Sequence, residues 1–177
     1  CCSSGVPLAQ GDLSQPYDSL VATVKSGLDL VPHSIHKARP HDDPRARVPL
    51  ANIKPRLRMT SLYFVANSLN YLVAGTGNRS ELAIGYFTKY GDGGVDLLPI
   101  GKLVKREVRA MARELGVPPA IIDRPPTAGL WLGQTDEAEM GFPYAELEQY
   151  LSGGPQAIAP ALAMKIERLA RASEHKR

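Results

Sequence analysis

Cysteine and long apolar runs are both scarce in this sequence. The only cysteines, Cys1 and Cys2, are neighbours at its start; such neighbours pair poorly, so no disulfide framework is available and a reducing compartment is indicated. No apolar run approaches the roughly 20 residues that span a bilayer, and the start lacks the order of a signal peptide. We expect a soluble, cytoplasmic protein with no membrane partner. The absent initiator methionine indicates a fragment or a processed chain.

A large charge of one sign is also missing. The formal net charge of +3 is too small to indicate nucleic acid as a partner. Basic residues cluster between Lys102 and Arg113, where a solvated helix face is an equally good interpretation. His33 and His36 are three residues apart, but a solvated loop fits them better than a metal site. No Ser-His-Asp order stands out, so the sequence does not indicate a serine hydrolase.

Proline divides the chain near residue 50. A chain of 177 residues that is 44% hydrophobic is long enough for one domain with a real core. Residues 1–49 are rich in proline and have few periodic stretches, so we expect an atypical or truncated N-terminal segment, followed by the core at residues 50–177. Tyr17 to Val31 could form a helix, a strand or both, and His33 to Arg47 is expected to be a loop.

Periodic elements follow residue 50. Asn52 is a plausible N-cap, with Pro55 in the first turn, of a helix that extends to about Asn70. The apolar positions that suit a buried helix there are Ile53, Leu57, Phe64, Val65 and Leu69. The apolar run 71–75 is expected to be a strand. Further helices are expected at 103–115, ended by Gly116, and at about 144–151 and 156–173.

This order of elements is typical of an α/β nucleotide-binding sheet. Ligands of such sheets bind at the carboxyl ends of parallel strands, which places Thr76 to Glu81 at a functional edge. Glycines there would let a ligand approach, although a strand-to-helix turn capped by Ser80 is the plainer interpretation. The run Gly85 to Asp96 combines glycines, aromatics and acids, as a loop shaped around a ligand would. Its acids, Asp92 and Asp96, lack the spacing of a calcium loop, so hydrogen bonds to a substrate are favoured.

A proline-rich connector and a group of acids follow. Arg124 to Trp131 is expected to be a stiff surface loop whose tryptophan packs into the core. Asp136, Glu137 and Glu139 are typical of a solvated helix start, where the helix dipole favours negative charge.

Six segments resemble the NAD synthetase family, in the ammonia-dependent type, and they occur in the family's order. The run 85–96 matches the family's Gly-Tyr/Phe-Phe-Thr-Lys-Tyr-Gly-Asp-Gly-x-x-Asp signature almost completely. The resemblance covers roughly residues 50–177. The matching segments are Asn52–Met59, Gly75–Glu81, Gly85–Asp96, Pro126–Trp131, Gly133–Glu137 and Glu174–Arg177.

The resemblance implies a fold, a reaction and a set of site residues. The fold would be a Rossmann-like parallel α/β sheet of the adenine nucleotide alpha-hydrolase type with flanking helices. The reaction would be ATP-dependent amidation of deamido-NAD with ammonia, with Mg²⁺ bound and a homodimer formed through the helix that begins near Asn52. By this resemblance Thr76, Lys105 and Thr127 contact ATP, Glu81 holds magnesium, and Arg56, Lys89, Asp96, His175 and Lys176 bind deamido-NAD.

The sequence also departs from the family. Members begin with a strand and a Ser-Gly-Gly-x-Asp-Ser loop that binds the phosphates of ATP through backbone N–H groups, and no such loop occurs here. Its absence predicts an incomplete sheet and leaves three explanations: a gene fragment, a sequence joined across missing segments, or a degenerate relative. A non-catalytic protein that retains the deamido-NAD site and the dimer surface is therefore the alternative function. A different ATP pyrophosphatase is disfavoured by the run 89–96. Whether ammonia would be free or delivered by a glutaminase stays open.

Overall fold

The computed structural model describes residues 5–32 and 47–176, and these residues are mainly helical. Two short 3₁₀ turns, Pro155–Ala157 and Glu174–Lys176, accompany the helices. His33, His36 and most of the loop expected between His33 and Arg47 lie outside the described residues. The α-helices are α1 (Ser14–Asp29), α2 (Val48–Leu69), α3 (Arg79–Ile84), α4 (Lys105–Glu114), α5 (Pro119–Ile122), α6 (Asp136–Met140), α7 (Tyr144–Gly153) and α8 (Pro160–Ala172).

The segment from Tyr17 to Val31, for which the sequence left a helix, a strand or both open, is helical as far as Asp29. Asp12 accepts hydrogen bonds from the backbone N–H and the hydroxyl of Ser14, at 2.9 and 2.7 Å, as α1 begins. Helix α1 contacts α2 but buries none of its own residues. No helix in the described ranges, 5–32 and 47–176, is long and apolar enough to cross a membrane.

Helix α2 begins earlier than the sequence predicts. Pro49 occupies its first turn, so Asn52 lies inside the helix and is not its N-cap, and Pro55 is buried in the helix interior. Asn70 ends the helix in the left-handed conformation at φ 55°, a conformation that asparagine tolerates.

The prediction that α2 is a buried helix is wrong for its second half. Phe64, Val65 and Leu69 are 74%, 45% and 55% exposed. The reason is that no other described element covers this side of α2, and only Ala51, Pro55 and Ala66 are buried along it.

The apolar run 71–75 forms less β-structure than predicted. Ala74 makes one isolated parallel bridge with Leu97, and the N–H of Gly75 donates to the carbonyl of Leu97 at 2.8 Å. A parallel sheet needs further strands beside this pair, and none is present among the described residues. The predicted sheet is therefore reduced here to one bridge, whose extended backbone still leads into Thr76.

The main apolar core lies among α3, α6, α7 and α8. The predicted helices at 103–115 and 144–151 correspond to α4 and α7, and Gly116 follows α4 in the left-handed region at φ +69°. The predicted helix at 156–173 is divided into a 3₁₀ turn and α8, since Pro160 has no N–H and starts a new helix. Trp131 lies outside this core, half-buried beneath the guanidinium of Arg47. The core residues are Ile84, Met140, Phe142, Tyr144, Leu147 and Ile166.

Candidate functional site

A cavity of about 960 Å³ gathers most of the predicted site residues. It is bounded by α2, α3, α4, the loops that follow α3 and α5, and the C-terminal 3₁₀ turn. Of the site residues that the family resemblance implies, Asp96 is the one that does not line this cavity. The residues that do are Arg56, Thr76, Glu81, Lys89, Lys105, Thr127, His175 and Lys176.

Glu81 is held by the start of its own helix. The side chain of Asn78 accepts the N–H of Glu81, and Glu81 Oε2 accepts the N–H of Asn78 at 3.0 Å, which is a capping box. The N-cap of α3 is thus Asn78, not Ser80. The other oxygen, Glu81 Oε1, faces Lys105 Nζ at 3.1 Å. One carboxylate therefore both caps α3 and presents charge at the cavity.

Ser80 is fully buried and connects two helices. Its hydroxyl oxygen accepts the backbone N–H of Lys105 at 3.2 Å, at the first residue of α4. Because the backbone of Lys105 is fixed in this way, its ammonium group is placed opposite Glu81. The bond also satisfies an N–H that has no partner within α4.

The loop after α3 is organised by its own polar side chains. Asp92 Oδ1 accepts the N–H of Thr88 at 2.9 Å, and the Thr88 hydroxyl donates to Asn52 of α2 at 3.0 Å. Asp96 Oδ1 accepts from the hydroxyl of Tyr63, while its Oδ2 accepts the N–H of Val73, so Asp96 fixes the bridged segment. The hydrogen bond from Tyr63 to Asp96 raises the pKa of the tyrosine hydroxyl.

The loop and the C-terminal turn are tied together by lysines. Lys176 Nζ donates to the carbonyls of Gly85 and Phe87 at 2.7 and 2.9 Å, and Lys89 Nζ donates to the carbonyl of His175. Burial lowers the pKa of the Lys176 ammonium, partly offset by the nearby charge of Asp92. These contacts bring the predicted deamido-NAD residues Lys89, His175 and Lys176 to one wall.

The proline-rich loop is fixed at several points over the same cavity. Lys54 Nζ donates to the carbonyl of Leu130 at 2.6 Å, and Gln134 accepts the N–H of Leu130 at 2.8 Å. The N–H of Asp136 donates to the carbonyl of Pro126 at 3.0 Å, directly before Thr127. The loop that carries Thr127 is therefore held by bonds from α2 and from the start of α6.

Sequence reasoning missed a hydrogen-bonded group of acids and tyrosines beside Glu81. Asp136 was expected to be solvated, yet it is only 4% exposed, and Glu139 accepts from Tyr86. Burial, followed by contact with Glu139, raises the pKa of the Tyr86 hydroxyl. Burial and the charges of Glu81 and Asp136 raise that of Tyr144. The Gly-Gln-Thr-Asp-Glu motif was the available signal for these residues.

The described residues contain no cluster of three or more histidine, cysteine or acidic side chains that could hold a metal. Glu81 is a single carboxylate at the cavity, 16% exposed, with Lys105 as its cationic partner. One carboxylate is compatible with Mg²⁺, which commonly takes one or two carboxylates together with substrate phosphates. The site therefore fits such an ion with Glu81 as one of its ligands, and it does not enclose the ion.

A lysine- and arginine-lined cavity beside a parallel bridge, a turn and a capped helix is typical of nucleotide-binding α/β proteins. The model of the family described as "NAD synthase" matches residues 22–177. The chain belongs to the NAD synthase family. This match begins ahead of residue 50, where the sequence resemblance became evident.

Individual relatives and a solved structure agree with this membership. The chain is 53% identical over 166 residues to the "NH(3)-dependent NAD(+) synthetase" of Carboxydothermus hydrogenoformans, covering 94% of this chain and 62% of that protein. It is 44% identical over 173 residues to the protein of the same name from Alkaliphilus oremlandii, covering 98% and 66%. A structure of "NMN synthetase from Francisella tularensis" matches with a TM-score of 0.77 and 36% identity, covering 93% and 61%. The chain thus spans less than two thirds of the length of these relatives.

Proposed function

We propose that the protein is an ammonia-dependent NAD synthetase, which forms NAD from deamido-NAD, ATP and ammonia. In the first step a carboxylate oxygen of deamido-NAD attacks the α-phosphorus of ATP, and pyrophosphate leaves. In the second, the nitrogen of ammonia attacks the acyl carbon and loses a proton, while AMP leaves with the electron pair of the broken C–O bond. The reaction class follows from the names of the relatives at 44% to 53% identity.

The observation that carries the proposal is the convergence of distant motifs on one cavity. Arg56 from α2, Lys89 from the loop after α3, and His175 and Lys176 from the C-terminal turn line one cavity, and we assign them with Asp96 to deamido-NAD. The positive charges of Arg56, Lys89 and Lys176 suit a ligand that carries phosphates and a carboxylate.

The ATP end of the site would lie around Lys105. Thr76, Lys105 and Thr127 come from three separate segments and all line the cavity. We assign them to ATP, with the Lys105 ammonium as a point charge for a phosphate. Glu81 would hold magnesium, which offsets negative charge on the departing pyrophosphate.

The exposed side of α2 supports a homodimer. Leu62, Phe64, Val65 and Leu69 are between 45% and 74% exposed, and Tyr71 and Leu72 continue this apolar surface at 69% and 71% exposed. Contiguous apolar surface of this kind marks interaction sites. We propose that two α2 helices cover each other, that the bridged segment joins a Rossmann-like sheet, and that the protein works in the cytoplasm.

The function is tested by incubating the purified protein with deamido-NAD, ATP, magnesium and ammonium, and measuring AMP and NAD by chromatography. We expect both products in equal amounts, with none when ammonium is replaced by sodium. A protein that binds deamido-NAD tightly and releases no AMP would contradict the enzymatic function and favour the non-catalytic alternative.

A second candidate is the mononucleotide reaction. It is favoured by one observation, the similarity at TM-score 0.77 to a structure titled NMN synthetase. The same assay with nicotinate mononucleotide in place of deamido-NAD separates the two. We expect a higher kcat/KM for deamido-NAD, because the relatives at 53% and 44% identity are named NAD synthetases.

A further inference from the structure

A group of carboxylates and hydroxyls lies at the base of the cavity, apart from the residues assigned to ATP and deamido-NAD. The hydroxyl of Tyr86 donates to Glu139 Oε2 at 2.5 Å, and that of Tyr144 donates to Asp136 Oδ2 at 2.8 Å. Tyr144 also lies 3.4 Å from Glu81 Oε1. Glu81, Tyr86, Asp136 and Glu139 all line the cavity.

The group has fewer hydrogen-bond donors than its carboxylate oxygens can accept. Each tyrosine has one hydroxyl proton, and the two are given to Glu139 and to Asp136 Oδ2. Gln134 Nε2 donates at 2.6 Å to the same oxygen of Glu139 that Tyr86 reaches. Asp136 Oδ1 is buried and receives no hydrogen bond from any described residue. Since burial of an unpaired carboxylate oxygen is costly, a further donor is expected.

The charges of the group are also unbalanced. Glu81, Asp136 and Glu139 are acids, while Lys105 is the one cation that the described contacts bring to them, through Glu81 at 3.1 Å. Its Nζ lies 5.3 Å from the centroid of the Tyr144 ring. A small cation would therefore be attracted to the part of the group formed by Asp136 and Glu139, away from Lys105.

We propose that Asp136 and Glu139, with the hydroxyls of Tyr86 and Tyr144, bind an ammonium ion as the nitrogen source of the reaction. The bound ion gives one proton to a carboxylate of this group and so becomes the ammonia that attacks the acyl carbon. Ammonium carries four N–H donors and one positive charge, so it supplies both the missing donor and the missing charge. Carboxylate and tyrosine oxygens can each accept one of its hydrogen bonds. Helix α6, which carries both acids, begins ten residues after Pro126 and is joined to it through the N–H of Asp136, so the site adjoins the ATP-binding loop.

A divalent metal suits these oxygens less well. The described residues provide no three acidic or histidine side chains grouped closely enough for coordination. Metal ligands must lie about 2.0–2.6 Å from the ion, whereas hydrogen bonds to ammonium are about 2.7–3.2 Å long. Neutral tyrosine hydroxyls are not among the usual ligands of Mg²⁺ or Ca²⁺, whereas they accept hydrogen bonds from N–H donors, and this favours ammonium.

Enzymatic assays give the first test, which rests on the proposed function. In Asp136→Asn the amide keeps the size of the side chain and removes its charge. We expect the KM for ammonium to rise about tenfold or more, as the loss of a charged hydrogen bond would give. Deamido-NAD-dependent exchange of pyrophosphate into ATP, which needs no ammonium, should stay within about twofold of the wild-type rate. Hydroxylamine, largely uncharged at neutral pH, should still react with the variant.

The controls separate recognition of ammonium from general damage. Asp18→Asn, an exposed acid of α1, should leave every parameter unchanged. Glu139→Gln should also raise the KM for ammonium, which covers the case in which Asp136→Asn fails to fold. An unchanged KM for ammonium in a folded Asp136→Asn protein, or equal losses with ammonium and hydroxylamine, would overturn the proposal.

Binding measured without turnover gives a second test that does not depend on the proposed function. Melting temperatures are compared in ammonium, potassium and magnesium chloride at equal ionic strength, for the wild type and Asp136→Asn. We expect ammonium to raise the wild-type Tm by about 3 °C at ten times its Kd and to have no specific effect on the variant. A shift given equally by potassium, or by magnesium alone, would refute an ammonium site, even if pyrophosphate exchange confirms the enzyme.

Discussion

Substitution of Gly85 by alanine tests how the loop after α3 is joined to the C-terminal turn. Gly85 ends α3 in the left-handed region at φ +66°, and a Cβ placed there would lie 2.0 Å from Ser173 Cβ and 2.3 Å from its Oγ. A left-handed non-glycine residue costs about 1–2 kcal/mol, and relief of such an overlap costs about 1–3 kcal/mol more. We expect Gly85→Ala to lower the free energy of unfolding by about 2–5 kcal/mol, a large part of typical domain stability.

The consequences should extend to the deamido-NAD wall of the cavity. The carbonyl of Gly85 accepts from Lys176 Nζ at 2.7 Å, so a shift of either segment displaces that ammonium group. The KM for deamido-NAD should therefore rise in Gly85→Ala, whereas the KM for ATP should change little.

Urea denaturation followed by circular dichroism measures the effect, and the chain offers a matched control. Gly116 has φ +69° but nothing within 4 Å of an added Cβ. Gly116→Ala should therefore lower the free energy of unfolding only by the cost of the left-handed conformation, about 1–2 kcal/mol. In the double variant Gly85→Ala/Ser173→Gly the overlapping Cβ is gone, and about 1–3 kcal/mol should return. Equal losses at Gly85 and Gly116, or no recovery in the double variant, would refute the steric explanation.

Three further substitutions test the core and the acidic group. Glu81→Gln keeps an oxygen for the N–H of Asn78, so thermal stability should change little while magnesium-dependent ATP binding, measured by calorimetry, is lost; unchanged binding would disprove the metal role. Leu147→Ala removes a side chain that is 0% exposed and should cost about 2–5 kcal/mol in urea denaturation. Burial raises the pKa of Tyr144 above its ordinary 10.0, so its stabilising contribution is complete below pH 10 and is lost as the pH rises further. Above pH 10 the free energy of unfolding of Tyr144→Phe should therefore fall less steeply than that of the wild type, by up to about 1.4 kcal/mol per pH unit, in urea denaturation at several pH values.

The sequence predicted elements whose signals are local. Helix α4 was predicted from apolar spacing and Gly116, because periodicity and caps depend on neighbours in the chain. The start of α2 was predicted wrongly because two prolines, Pro49 and Pro55, both suit a first turn and only tertiary contacts choose between them. Asn52 consequently faces Thr88 instead of capping the helix.

The residues of the site were predicted only in part. The resemblance identified eight residues that the structure places around one cavity, although they are up to 120 residues apart in sequence. It did not show that Asp136 is buried, because acids at a helix start are commonly solvated. The group around Asp136 is completed by Tyr144, eight residues further along the chain, and by Tyr86, whose hydroxyl donates to Glu139 from 53 residues away. Long-range hydrogen bonds of this kind leave no periodic signal in a single sequence.

The position of the Glu81–Lys105 pair depends on helix starts more than on a sheet. Asn78 fixes the first turn of α3, and the hydroxyl of Ser80 in that turn fixes the first N–H of α4. Asn78 and Ser80 are 1% and 0% exposed, so water cannot replace either bond without opening the packing. Because Asn78 and Ser80 are both buried, Glu81 and Lys105 keep their separation, although among the described residues only one parallel bridge lies beside them. The pair should therefore be among the more rigid parts of the cavity, and further strands would add stability without having to place it.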